Sequence, residues 1–160
     1  MRARGRAGAI ELDLGRVEVG VPELLRVGDE ELEFTPVTVG NPHAVVRRRR
    51  LEGELERLGP LIETHERFPR RTNVQFAEPL DPATLRLEVW ERGAGRTRSS
   101  GSSAVAAAAA AVRNGWCESP VTVVLEGAGD LLVALDGDLA ARLTGPVEEI
   151  CRGETAASVP

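Results

Sequence analysis

Lysine is absent from this sequence, so all 20 basic residues are arginines. A pyridoxal phosphate enzyme needs a lysine for its Schiff base, which the chain by itself cannot provide. Cysteine and histidine are scarce as well: Cys117, Cys151, His43 and His65 are all there are. None of the four stands at metal-ligand spacing, so no metal is expected. Two cysteines make no disulfide framework, although one bridge between them stays open. Long apolar runs are also missing. The longest, residues 104–112, is too short to cross a bilayer, and nothing at the N-terminus has a signal-peptide pattern. A cytoplasmic protein with no membrane partner is the expectation.

What is present is globular in character. Hydrophobic residues make up 42 % and charged residues 28 % of 160 positions, with a net charge of −5. Those values suit one ordinary domain over 1–160, or two small ones, long enough to bury a core. The net acidity argues against a nucleic-acid partner, and the four arginines at 47–50 read as a solvated strand end or turn.

Along the chain, period-2 alternation marks strands at 9–15, 16–21, 32–40 and 43–47, with Gly40-Asn41-Pro42 as a turn. Residues 52–68 switch to helical spacing, and Gly59-Pro60 predicts a break into two short helices. Alternation returns at 73–78 and 84–91. An alanine helix over 102–114 follows, stopped at Asn114-Gly115. Further strands are predicted at 120–126, 130–137 and 139–145, and a last one at 147–154. The alanine helix has no polar face, so it belongs inside the protein. The fold class expected is α+β, with a mostly antiparallel sheet wrapped around a central, buried, Ala-rich helix.

The stretch "WERGAGRTRSSGSSAV" (90–105) sets Gly93, Gly95 and Gly101 and a cluster of serines before that helix. The first N–H groups of a helix have no internal partner, and its dipole favours negative charge there, which makes an anion site. The competing reading is a serine N-cap with glycines needed only for turning. Of the three asparagines, Asn114 is a helix stop, whereas Asn41 and Asn73 sit at strand ends among polar groups. With Glu91, Arg92 and the helix start they would suit an amino-acid ligand, carboxylate to amides and arginine, ammonium to glutamate.

Four segments carry a family resemblance: "GNPHAVV" (40–46), "LGPLIETHERFPRRTNVQF" (58–76), "VWERGAGRT" (89–97) and "LTGPVEEICRGE" (143–154). They resemble, in order, the C-terminal half of the diaminopimelate epimerases. The resemblance implies one lobe of a two-lobed fold and a cofactor-free inversion at Cα, in which paired cysteines from the two lobes exchange protons with the substrate. It implies that Asn41, Asn73, Glu91 and Arg92 bind the distal end of diaminopimelate. It further implies that Gly101 and Ser102 offer N–H groups to the α-carboxylate, and that His43 lies near the glutamate and the reactive position.

The sequence departs from the family's pattern in that position, which is Ser100 rather than cysteine. A hydroxyl is far less acidic than a thiol, so Ser100 would need a neighbour such as His43 to activate it. Arg96 stands at a glutamate position and Ser103 at a glycine position. The resemblance covers the C-terminal lobe alone, so the second cysteine loop is expected from outside these 160 residues, and neither Cys117 nor Cys151 has surroundings that could substitute. The expectations are therefore an epimerase lobe acting with a separate N-terminal lobe or second subunit, as a homo- or hetero-oligomer. The alternatives are a non-catalytic amino-acid-binding or regulatory descendant, or another isomerase with Glu91 as base.

Overall fold

The structure is a computed structural model. It describes residues 2–6 as backbone, together with residues 8–51, 53–127, 129–151 and 153. The chain forms an α+β fold with a nearly closed, barrel-like sheet and two helices. The strands are β1 (Arg2–Arg6), β2 (Ala9–Arg16), β3 (Glu18–Val19), β4 (Glu23–Val27), β5 (Glu30–Thr38) and β6 (Pro42–Arg47), followed by helix α1 (Leu55–Glu63). Then come β7 (Asn73–Asp81), β8 (Thr84–Glu91), β9 (Gly95–Thr97), helix α2 (Gly101–Arg113), β10 (Val121–Leu125), β11 (Leu131–Leu135) and β12 (Ala140–Pro146).

The strand order is β1-β2-β12-β11-β10-β8-β7-β6-β5-β3, with β4 added on β5 and β9 on β8. Pairings are antiparallel except β6 with β7 and β8 with β10. Parallel neighbours need a crossover, and the two helices are those crossovers: α1 leads from β6 to β7, and α2 leads from β8 and β9 to β10.

The helices lie over separate cores. Around α1, Leu55, Leu58 and Ile62 join Phe34, Ala44, Val46, Val74 and Phe76. Around α2, residues 104–111 are each 0 % exposed and meet Val45, Ala77, Leu85, Leu87, Val89 and Val123. Strand β7 supplies alternate residues to both cores, which is why its first six residues are all buried. Alanine suits α2 because it gives up no side-chain entropy and keeps the helix thin enough for strands to approach. The helix touches β3, β5, β6, β7, β8, β10, β11 and β12.

Three expectations are corrected. Residues 55–63 form one helix with Pro60 inside it, not two. Proline forfeits only the bond to the Glu56 carbonyl, while its own carbonyl accepts the Thr64 N–H at 3.3 Å. Burial of Leu55, Leu58 and Ile62 along one face holds the turns together, and Gly59 is needed for packing: a Cβ there would lie 2.8 Å from the Trp90 ring. The predicted strand at 147–154 is not formed over 147–151, where Ile150 is 93 % exposed; positions 152 and 154 lie outside the described residues. Of the segment 16–21, Arg16 closes β2 and only Glu18–Val19 form a strand of their own, and β1, β4 and β9 were not foreseen. Both cysteines are free, Cys117 buried and Cys151 exposed.

Candidate functional site

One end of the sheet gathers most of the predicted polar residues. The parallel register of β6 and β7 sets His43 beside Asn73. The antiparallel register of β7 and β8 pairs Val74 with Trp90, so Asn73 faces Glu91 one step further on. The starts of β6 and β7 and the finish of β8 therefore meet at the point where the chain leaves for α2.

Asn73 acts there as a strut. Its Nδ2 donates to the Pro42 carbonyl at 2.9 Å, and its Oδ1 accepts the Arg92 N–H at 3.0 Å. This explains why a strand opens on asparagine: the side chain closes backbone groups on both neighbouring segments. Glu91 Oε1 accepts the Thr97 hydroxyl at 2.9 Å, which ties the last residue of β8 to β9. The Arg92 guanidinium reaches the Arg70 carbonyl at 3.2 Å and keeps further N–H groups available.

His43 is buried beneath this end, 1 % exposed. Its Nε2 bonds to Asn41 Oδ1 at 3.0 Å and its Nδ1 to Gln75 Nε2 at 3.1 Å. An amide oxygen can only accept, so Nε2 carries the proton and Nδ1 receives the Gln75 amide. Burial, the largest influence, lowers the His43 pKa to about 4, and the Arg92 charge adds to it. His43 is thus a neutral ring with both nitrogens engaged. Gln75 Nε2 also donates to Ser103 Oγ in the first turn of α2 at 3.0 Å, while Gln75 Oε1 has no hydrogen-bond partner.

Ser100 occupies the N-cap of α2 in extended conformation, with φ −153° and ψ 115°, but its side chain makes no capping bond. Its carbonyl accepts the Ala104 N–H at 2.9 Å. Among the described residues, the N–H groups of Gly101, Ser102 and Ser103 have no partner, and no hydrogen bond joins Ser100 to His43. Gly101 and Ser102 are half-buried. The expected serine N-cap is present in backbone position only, which leaves the helix start open to an external acceptor.

Two contributors escaped the sequence reading. Gln75 had no signal beyond being polar in an apolar strand, and Glu63 none beyond lying within the helical segment 52–68. Arg96 is engaged away from the helix start by Glu56, by Glu88 at 3.2 Å and by Glu126 at 3.9 Å. That cluster edges a cavity of about 560 Å³ on β8, β9 and the turn at 126–127, which includes none of the predicted site residues. A groove of about 390 Å³ lies beside Pro42 and His43. No group of three or more metal-ligating side chains occurs among the described residues. None of the described helices is long and apolar enough to cross a membrane.

Comparison with known proteins adds to this geometry. A family profile described as diaminopimelate epimerase matches residues 35–150. The diaminopimelate epimerase of Azotobacter vinelandii is 40 % identical over 96 % of this chain and 64 % of its own length. Its counterpart from Magnetococcus marinus is 43 % identical over 91 % of this chain and 52 % of its own length. This chain thus spans roughly half to two thirds of the curated relatives it matches. Two solved structures share the fold. One is a predicted epimerase from Pseudomonas aeruginosa, with TM-score 0.62 and 19 % identity, covering 98 % of this chain and 62 % of that one. The other is a hydroxyproline epimerase from Agrobacterium vitis with bound trans-4-hydroxy-L-proline, with TM-score 0.65 and 16 % identity, covering 90 % and 53 %.

Proposed function

The chain belongs to the diaminopimelate epimerase family, and from that premise we propose that it is an amino-acid-binding lobe that holds and polarises its ligand but does not itself remove the Cα proton. In this reading the sheet curves around α2 and presents the helix start to a ligand of the diaminopimelate kind. The ligand's α-carboxylate is held by the N–H groups of Gly101 and Ser102. The distal amino-acid end lies against Glu91, Arg92 and Asn41, with Asn73 fixing the backbone between them. Glu91 Oε2 takes the ammonium group and the Arg92 guanidinium takes the distal carboxylate.

The carrying observation is the row of partnerless N–H groups at the start of α2 beside a serine that makes no cap. Dipoles aimed at a carboxylate stabilise the charge that develops when Cα–H ionises, so the lobe supplies half of what racemisation needs. The other half is a base. By the resemblance Ser100 stands at the family's cysteine position, and His43 has a pKa of about 4 with both ring nitrogens in use. His43 therefore does not draw the proton from Ser100, and the Ser100 hydroxyl does not attack Cα–H unaided.

A second reading follows from the chain's share of its relatives' length: paired with a complementary lobe bearing a thiol, the same site serves as one half of an epimerase. Proton NMR with meso- and L,L-diaminopimelate in D₂O tests both readings. Broadened ligand resonances with a persistent Cα signal are expected for the chain alone. Loss of the Cα signal would show that the chain does deprotonate, and unbroadened ligand would show that it does not bind.

A further inference from the structure

The segment "LIETHERF" contains a buried carboxylate that the proposed binding site does not use. Glu63 ends α1, and its side chain is 8 % exposed. Its Oε2 accepts the Trp90 indole N–H at 2.8 Å, and its Oε1 accepts the Gly93 N–H at 2.9 Å. Arg71 Nη1 reaches Oε1 at 3.3 Å, and the Glu63 carbonyl accepts the Thr72 N–H, also at 3.3 Å. Burial alone would raise the Glu63 carboxyl, but the Trp90, Gly93 and Arg71 contacts outweigh it and hold the group below its ordinary value.

The two N–H donors that Glu63 takes flank one dipeptide. Trp90 precedes Glu91-Arg92 and Gly93 follows it. Asn73 Oδ1 in turn holds the Arg92 N–H. The dipeptide is thereby fixed through Trp90, Arg92 and Gly93 by side chains from α1 and β7, which are separate elements. Gly59, one turn earlier on α1, completes the arrangement by letting the helix settle on the Trp90 ring, where any Cβ would collide.

We infer that Glu63 is a positioning residue for ligand selection, acting through Trp90 and Gly93 to aim Glu91 and Arg92 at the charged far end of an amino acid. The inference rests on the proposed binding reading. Glu63 touches no ligand. A carboxylate is suited to the task because it accepts two N–H bonds at once, whereas a carboxamide turns a donor toward one of them. Charge-assisted bonds of this kind are also stronger than neutral ones.

The test uses ¹⁵N-labelled full chain, wild type and Glu63→Gln, titrated with meso-diaminopimelate and with L-norleucine, which lacks the charged far end. In Glu63→Gln the resonances of Trp90 Nε1–H, Arg92 and Gly93 shift and exchange faster, while core amides such as Val123 hold their positions. The Kd for diaminopimelate rises about tenfold, the size of one lost bond to a charged group, and that for L-norleucine is unchanged. Equal weakening of both ligands, or no weakening of either, overturns the inference. Trp90→Phe keeps most of the ring and removes one donor. It shifts the same two amides with a smaller loss of selectivity, and stands as the deciding variant should Glu63→Gln fail to fold. If wild type binds neither ligand, the binding reading fails. The resonances of the unliganded variants then decide alone: unmoved Arg92 and Gly93 amides overturn the positioning role, and displaced ones support it.

Discussion

At its C-terminal end, α2 closes nearly every group it exposes. The Asn114 N–H bonds to Ala110 O at 3.0 Å, and those of Trp116 and Cys117 to Ala111 O at 2.8 and 3.3 Å. The Gly115 N–H reaches Val112 O at 3.2 Å, and the Asn114 carboxamide donates to Thr35 Oγ1 at 3.0 Å. At the N-terminal end the serine in the capping position makes no side-chain bond, and three N–H groups have no partner among the described residues. The helix and its apolar surroundings are common to both ends, so the difference does not come from the core. The C-terminal end is closed by groups of the chain itself, whereas the N-terminal end has donors that no described residue takes up.

Acid should separate the two ends most strongly. The His43 pKa of about 4 lies below the value of 6.5 expected when unfolded, so the unfolded chain binds the extra proton first. The stability held by neutral His43 is complete above pH 6.5 and is lost as the pH falls from 6.5 to 4, by up to about 3 kcal/mol. Amide exchange at Ser103 and Ala104 should rise over that window before exchange at Asn114 does, and His43→Gln should flatten the dependence. Equal loosening at both ends would break the comparison.

The next effect is smaller. Ala108→Leu adds bulk in the middle of a helix that is 0 % exposed, and is expected to lower stability by about 2 kcal/mol through overpacking. Chemical denaturation would measure it, and both ends should suffer alike. Asn114→Ala removes the bond to Thr35, which should cost about 1 kcal/mol while leaving ligand-induced shifts at Gly101 intact. Ser100→Ala should change stability by less than about 0.5 kcal/mol, because no capping bond is lost. A loss near the full value of a serine cap, about 1 kcal/mol, would show that the end is closed in solution.

The features legible in the sequence were local ones. The alanine run declared α2 and its burial because nine successive small apolar residues leave no polar face, and the structure places the helix at 101–113. The alternation at 84–91 gave β8 at its full length. Gly59-Pro60 misled because the two residues act through tertiary contacts. Proline costs the helix one bond, while glycine answers to an indole 31 positions away. Gln75 and Glu63 were invisible for a similar reason: their partners His43, Ser103, Trp90 and Gly93 lie roughly 30 residues off and meet them only once the crossovers form. Asn41, Asn73, Glu91 and Arg92 were legible as types at strand ends. The division of Asn73 between Pro42 and Arg92 was not.

The central claim is that the open start of α2 receives a carboxylate. A ¹⁵N–¹H titration of the unmodified chain with meso-diaminopimelate tests it most directly. The account predicts saturable shifts at the Gly101 and Ser102 amides, accompanied by Glu91 and Arg92, with Asn114, Gly115 and Cys117 stationary. Shifts confined to the cavity around Arg96, or none anywhere, would contradict it.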